Sequence, residues 1–447
     1  MMSMSKFNFR RHLAAFLEKL GELVGPNWLA LLMIFFVLYV PFLYDHGWKY
    51  RDTPNTDLPT FYTASVSVFN FGESPYEPER LGSLMDHDVY VYPYLYPPPS
   101  LLFFFPLAAL TYADARHIVL IVNHLLFLIL VWAIPLYLLR IRPKDGFAQF
   151  TLCIVYSLTF YPVVVTLTNG QVNILLLVFF VLFWLFARRE KAVLAALFLA
   201  LAILLKTYPI ILIPLLLLTR RWRESAYAVA WLGLAVTVSV FVLPNTVWYD
   251  WLINVFPSGG YMSTPVGMYP PAAIWNQNLN GFFARAFAGG EWSDAVWVNP
   301  ALAKFLTYAT AGLTAALTGL AIWRSRTRKD SLDRTMLVAL PAMYLIAPFS
   351  WEHHLLYLLL SILMLLTSRP LFGSVPKAVF FFLSFASAFL VGLPVALKFK
   401  FYGVVVLWGL CVFAVWRGIE LPNGQGEKIK ENAMELTNGT VGNINNE

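Results

Sequence analysis

A chain of 447 residues that is 59% hydrophobic and only 13% charged is not an ordinary soluble domain, in which roughly a quarter of the residues carry charge. Its formal charge of +7 does not point to nucleic acid, because Lys and Arg gather at the ends of apolar runs, where orientation in a bilayer needs them. Cys153 and Cys411 both lie inside apolar runs and imply no disulfide framework.

From the N-terminus, residues 5–23 set Phe9, Leu13, Phe16, Leu17 and Leu20 on one helical face with basic residues elsewhere, which predicts a cytoplasmic interfacial amphipathic helix within 1–26. The first apolar run is followed by no small-residue cleavage site and reads as a retained span. Spans are predicted near 27–44, 117–139, 148–168, 171–187, 191–205, 209–219, 226–243, 301–323, 334–349, 354–367, 376–396 and 400–416. The stretch "PPPSLLFFFPLAALT" (97–111) either crosses, or lies along the outer face or re-enters. Only the second choice leaves "RIRPK", "RREK", "TRRWR", "RSRTRK" and both termini on one side, as the positive-inside rule demands.

The expected product is an all-α polytopic membrane protein. About twelve transmembrane helices occupy 27–416, two ordered external loops (45–116 and 244–300) carry juxtamembrane helices, and a polar cytoplasmic tail fills 417–447. Both loops are rich in aromatics, Pro and Gly rather than in the polar residues of disordered chains. The same threading sends "TNGQVN" (168–173), "LKTYP" (205–209), "FSWEHH" (349–354) and "LKFK" (397–400) to the outer side.

Ionisable residues at membrane depth are expensive and usually mark function. Asp57, ahead of an amphipathic stretch, is either a general base for a sugar hydroxyl or a loop acid capping the helix that starts near Pro59. Lys206 is either a snorkelling helix-end lysine or a partner for an anion. His353 and His354 are adjacent, about 100° apart on a helix, which suits phosphate donation better than a shared metal. Glu352 and Trp351 beside them are candidates to meet a sugar; the alternative for the whole cluster is a satisfied outer helix cap. In "NQNLNGFFAR" (276–285) the amides of Asn276, Gln277 and Asn278 suit sugar hydroxyls and Arg285 suits a phosphate. The rival there is a loop whose Asn side chains bond its own backbone. "DHD" at 86–88 is similar to the metal-binding acid pair of nucleotide-sugar transferases, but it falls on the side where nucleotide sugars are not supplied.

Asp57, "GESPYE" (72–77), "YPPP" (96–99), "NGQVN" (169–173), "KTYP" (206–209), "NQNLNGFFAR" and "APFSWEHH" (347–354) together resemble glycosyltransferase family 87, the polyprenyl-phosphate-mannose-dependent mannosyltransferases of GT-C architecture. The resemblance runs from about residue 50 to 360 in the family's order and rests on arrangement rather than on one specific motif. It implies an inverting transfer of a sugar, mannose first, from a polyprenyl-phosphate donor to a glycolipid or glycan acceptor. Asp57 would be the base, and Lys206, Arg285, His353 and His354 would receive the donor phosphate. Tyr96, Asn169, Gln171, Asn173, Asn276, Gln277, Asn278, Trp351 and Glu352 would contact sugar or acceptor. The implied location is the cytoplasmic (inner) membrane, with the active site facing the periplasm or exterior and both termini inside. Membrane lipid is the surrounding partner and nucleic acid is not one. No cofactor is called for, although some GT-C relatives use a metal ion. The alternatives are a transferase for another lipid-linked sugar such as arabinofuranose, a lipid-linked-sugar flippase or transporter, and a non-catalytic assembly subunit. Against a transporter, no internal repeat is evident and the polar clusters gather on one face.

Overall fold

The computed structural model describes residues 27–45, 56–85, 89–368, 377–395 and 399–422. The amphipathic segment expected within 1–26, "DHD" at 86–88 and the tail from 423 onward lie outside them. The regular elements among the described residues are helices.

In chain order, α1 (Trp28–Leu43) precedes α2 (Leu58–Phe71), the first helix of the predicted external segment. α3 (Tyr112–Ala133) runs on through a π-helical turn to Leu138. α4 (Phe147–Thr159) and α5 (Tyr161–Asn169) form one apolar run bent by 40°. Pro162, in the first turn of α5, has no N–H with which to continue the α4 ladder, so the bend falls there. α6 (Asn173–Arg188), α7 (Ala192–Leu205), α8 (Leu212–Leu218) and α9 (Trp222–Val242) follow with short connections. α10 (Leu279–Phe287) lies in the second predicted external segment, and α11 (Pro300–Ser325), α12 (Ser331–Ile346), α13 (Leu358–Thr367), α14 (Lys377–Gly392) and α15 (Lys400–Arg417) complete the series.

Each of the twelve predicted windows is therefore helical. By length and composition, four helices can cross a membrane alone: Tyr112–Leu138, α9, α11 and α15; the bent α4–α5 pair makes a fifth if it is one span. α7, with 14 residues, reaches only about 21 Å, less than a bilayer core of roughly 30 Å.

The awkward stretch 97–111 folds as three abutting short helices from Pro98 to Ala109. It is fastened side-on to α2. Ser65 Oγ donates to Phe104 O (2.7 Å), Asn70 Nδ2 to Ala108 O (2.9 Å) and Tyr62 OH to Leu110 O (3.0 Å), while the Phe61 and Phe104 rings stack at 4.6 Å. A piece this short, roughly 18 Å long, cannot span by itself.

One end of the bundle is an ionic clasp. Asp333 of α12 accepts from Trp184 Nε1 (2.6 Å) and Arg188 Nε (2.7 Å) of α6, and Arg188 also donates to Leu138 O (2.6 Å). Arg221 ties Ala187 O (3.2 Å) to Glu224 (2.6 Å), and Arg334 ties Asp330 (2.7 Å) to Ile419 O (2.9 Å). α6 has 16 residues, so its other end, Asn173, stands about 24 Å from this clasp.

Candidate active site

That distant end is where the polar clusters meet. α5 stops at Gly170, whose φ of +67° is the left-handed conformation a side chain resists, and the chain reverses into Gln171 and Asn173. The turn presents Asn169 O to the backbone N–H of Asp57 (3.0 Å). Asp57 occupies the N-cap position of α2, yet its side chain caps nothing. It turns instead to the side chains of Gln171 and Asn169, and its Oδ2 is buried without a hydrogen-bond partner among the described residues. Burial holds the Asp57 carboxyl above its ordinary range, opposed by Gln171, the Lys206 charge and Asn169. The capping alternative for this residue therefore fails on geometry.

Lys206 leaves α7 in an extended conformation, and Pro209 prevents a helical continuation. It does not snorkel; only 6% of it is exposed. Its Nζ contacts the Tyr96 hydroxyl, Gln171 Oε1 (3.5 Å) and His354 Nε2 (3.1 Å), and sits 4.6 Å from the centre of the Tyr96 ring. Gln171 thus stands between the carboxylate and the amine. Burial pulls the Lys206 amine down to about 7, against the pull of Asp57.

The protons on this pair follow from its neighbours. His354 Nδ1 accepts from the Trp351 backbone N–H (3.2 Å), so a neutral imidazole carries its hydrogen on Nε2, facing Lys206. A charged ammonium would oppose N–H to N–H. A neutral amine accepts from His354 Nε2–H and keeps two hydrogens for Tyr96 and Gln171. Near neutral pH the lysine therefore exchanges its proton readily, and an arriving anion favours the charged form.

His353 packs edge-on against His354 at 4.5 Å and makes no hydrogen bond to a described residue. Asn173, the first residue of α6, is 1% exposed, and neither of its amide atoms is hydrogen-bonded to a described residue. Trp351 is half-buried beside the imidazoles.

The remaining expected residues are used elsewhere. Arg285 donates to Ala273 O (3.0 Å) and Asn276 O (2.9 Å), bracing its own loop. Asn276 Oδ1 accepts from Ser350 N (3.0 Å), Gln277 Oε1 from Phe401 N (3.2 Å) and Asn278 Oδ1 from Gly281 N (2.8 Å), while the Asn278 amide donates to Ala347 O. The amide row is a clamp on 347–350, which is the backbone-satisfying alternative. Glu352 pairs with Lys400 (3.0 Å) and accepts from Val395 N (3.0 Å), so its carboxylate is already satisfied. The clamp still matters, because it sets the approach of Trp351–His354.

Two aromatics went unmarked in the sequence. Tyr208, in "KTYP", lies against the His354 ring at 5.5 Å, and Tyr92 has its carbonyl held by Thr60 Oγ1 (2.9 Å) in the first turn of α2, beside Asp57. The density of rings in the first external segment hinted at Tyr92, and the cluster "KTYP" contained Tyr208 without singling it out.

The fold and this site define an integral membrane protein of helices whose acid, lysine and imidazoles meet at the end opposite its ionic clasp. Residues 94–348, more than half of the chain, match the model of glycosyltransferase family 87. The protein belongs to that family and is a membrane glycosyltransferase. No curated protein matches the chain. Tyr96, Gln171, Lys206 and Arg285 fall inside the matched stretch, whereas Asp57, His353 and His354 fall outside it.

Proposed function

We propose that this protein transfers a sugar, mannose first, from a polyprenyl-phosphate donor to a glycolipid or glycan acceptor on the non-cytoplasmic face, with inversion. The observation that carries the reading is Asp57 and Lys206 on either side of Gln171, with His354 on the lysine.

Asp57 takes the proton of the acceptor hydroxyl through its unpartnered Oδ2 as that oxygen bonds to the donor's anomeric carbon. The bond from that carbon to the phosphate oxygen breaks on the opposite face, which inverts the centre. The electron pair leaves with the polyprenyl phosphate, whose growing charge meets a protonated Lys206 and the His354 Nε2–H. In a water-poor site, one such contact contributes about 3 kcal/mol to the transition state. Asn169, Gln171, Asn173 and Tyr96 orient the two sugars, and His353 borders the donor side. The prenyl chain remains in lipid, between helices of the bundle.

The test is a transfer assay with purified protein and a panel of prenyl-phosphate sugars, arabinofuranose included. Asp57→Asn should lower turnover by at least about 1,000-fold while donor binding stays within a few-fold, since only the proton acceptor changes. Turnover retained in that variant would remove Asp57 as the base.

A further inference from the structure

We propose that Tyr269, Trp275, Trp292 and Trp351 form an acceptor subsite that stacks the sugar next to the accepting one, so that the acceptor is a glycan of at least two sugars. This deepens the transferase reading and rests on it for the word acceptor.

The four rings form one cluster drawn from two loops far apart in the chain. Tyr269 lies 4.8 Å from Trp275, 5.5 Å from Trp292 and 6.4 Å from Trp351; Trp275 lies 5.5 Å from Trp292 and 6.4 Å from Trp351. All four are half-buried, and the indole N–H groups of Trp275 and Trp292 donate to no described residue. A purely structural aromatic core would bury its rings and satisfy those donors. Open ring faces edged by open donors fit a pyranose, which offers an apolar C–H face ringed by hydroxyls.

The cluster is continuous with the candidate site at both poles. Tyr92 joins it at 6.3 Å from Tyr269, and Tyr92 is held by Thr60, whose own N–H bonds Asp57 O (3.1 Å). Trp351 joins it at the other pole, where its backbone N–H bonds His354. A sugar presenting its hydroxyl to Asp57 therefore has its neighbour over these rings, each centroid step comparable with the span of one sugar.

Beyond Trp292 the rings open on a cavity of about 250 Å³, lined by Thr264, Pro270, Ala284, Gly289 and Glu291 as well as Trp292. Small residues leave the room, and the Glu291 carboxylate offers an acceptor for sugar hydroxyls. A lipid tail would meet a carboxylate there, which is why a saccharide and not a prenyl chain is assigned to this groove.

The experiment follows tryptophan fluorescence of the full-length protein, with no donor present, during titration with mannotriose, maltotriose and cellotriose and with the monosaccharides mannose and glucose. At least one trisaccharide should give a saturable change at millimolar concentration, binding about tenfold tighter than either monosaccharide. Trp292→Ala should abolish it, Trp292→Phe should keep part of it, and Trp297→Ala, in the exposed 296–298 stretch, should leave it intact. A wild-type protein that responds to no trisaccharide, or equally to monosaccharides, overturns the subsite whether or not Trp292→Ala folds; so does a response that survives in Trp292→Ala. Because no donor is used, saccharide binding without any transfer activity would count against the proposed function and leave the subsite standing.

Discussion

At the residue scale, the lysine at position 206 is a group whose chemistry is changed by its environment. Surrounded by Tyr96, Gln171 and His354 and hardly exposed, it holds its proton only up to about pH 7 when the site is empty of anion. A lowered amine has a definite sign for activity: the form that receives a phosphate exists below that pH and is lost above it. The free-enzyme quantity kcat/KM for a polyprenyl-phosphate donor should therefore fall about tenfold per unit as pH rises through about 7, while kcat falls less because bound phosphate raises the amine. Lys206→Arg, charged at every accessible pH, should carry that limb upward. A limb unmoved in the arginine variant would assign the titration to another group. Glu352 teaches the complementary lesson. A carboxylate beside two histidines looks functional in sequence, but its bond to Lys400 shows it holding the 352–357 turn against α15.

At the element scale, the clamp between α10 and the 347–350 stretch decides where the imidazoles sit. Asn280 Nδ2 donates to Pro348 O (2.9 Å), Asn276 accepts from Ser350 N and Asn278 donates to Ala347 O. α10 approaches so closely that a Cβ at Gly281 would lie 1.9 Å from Asn276 O. Gly281→Ala should then cost about 1–3 kcal/mol, read as a lower melting temperature in detergent, since backbone cannot yield as a side chain does. The same variant should weaken transfer by displacing Trp351–His354; a melting temperature equal to wild type would show the clamp to be dispensable. The run 169–171 is as important: a left-handed glycine between α5 and α6 is what lets one turn offer a carbonyl to Asp57 and an amide to Lys206.

At the scale of the whole molecule, the two ends of the bundle do different work. Arg188, Arg221, Arg334 and their acids lock the helices at one end, and the Asp57–Lys206 site lies at the other, about one α6 length away. This polarity is what a one-sided transferase needs and what a transporter with a mid-bilayer site does not. With the basic end cytoplasmic, the loop bearing Val296, 88% exposed, faces outward. Val296→Cys should react with a membrane-impermeant maleimide in intact cells, while Cys153 and Cys411, both buried, stay silent. Labelling only after permeabilisation would invert the topology.

Composition and periodicity alone determined the helical membrane character and the twelve helical windows, because apolar run length and charge placement are local properties that a bilayer reads directly, whereas the meeting of Asp57 with "NGQVN", "KTYP" and the imidazoles was expected only from the family resemblance. Which polar groups are free for chemistry was decided only in three dimensions. Arg285 found carbonyls of its own loop, Glu352 and the amides of 276–278 found backbone or ionic partners dozens of residues away, and the rings of 269, 275, 292 and 351 found one another. A hydrogen bond or a ring contact depends on which surfaces packing brings together, and no window of neighbouring residues contains that information.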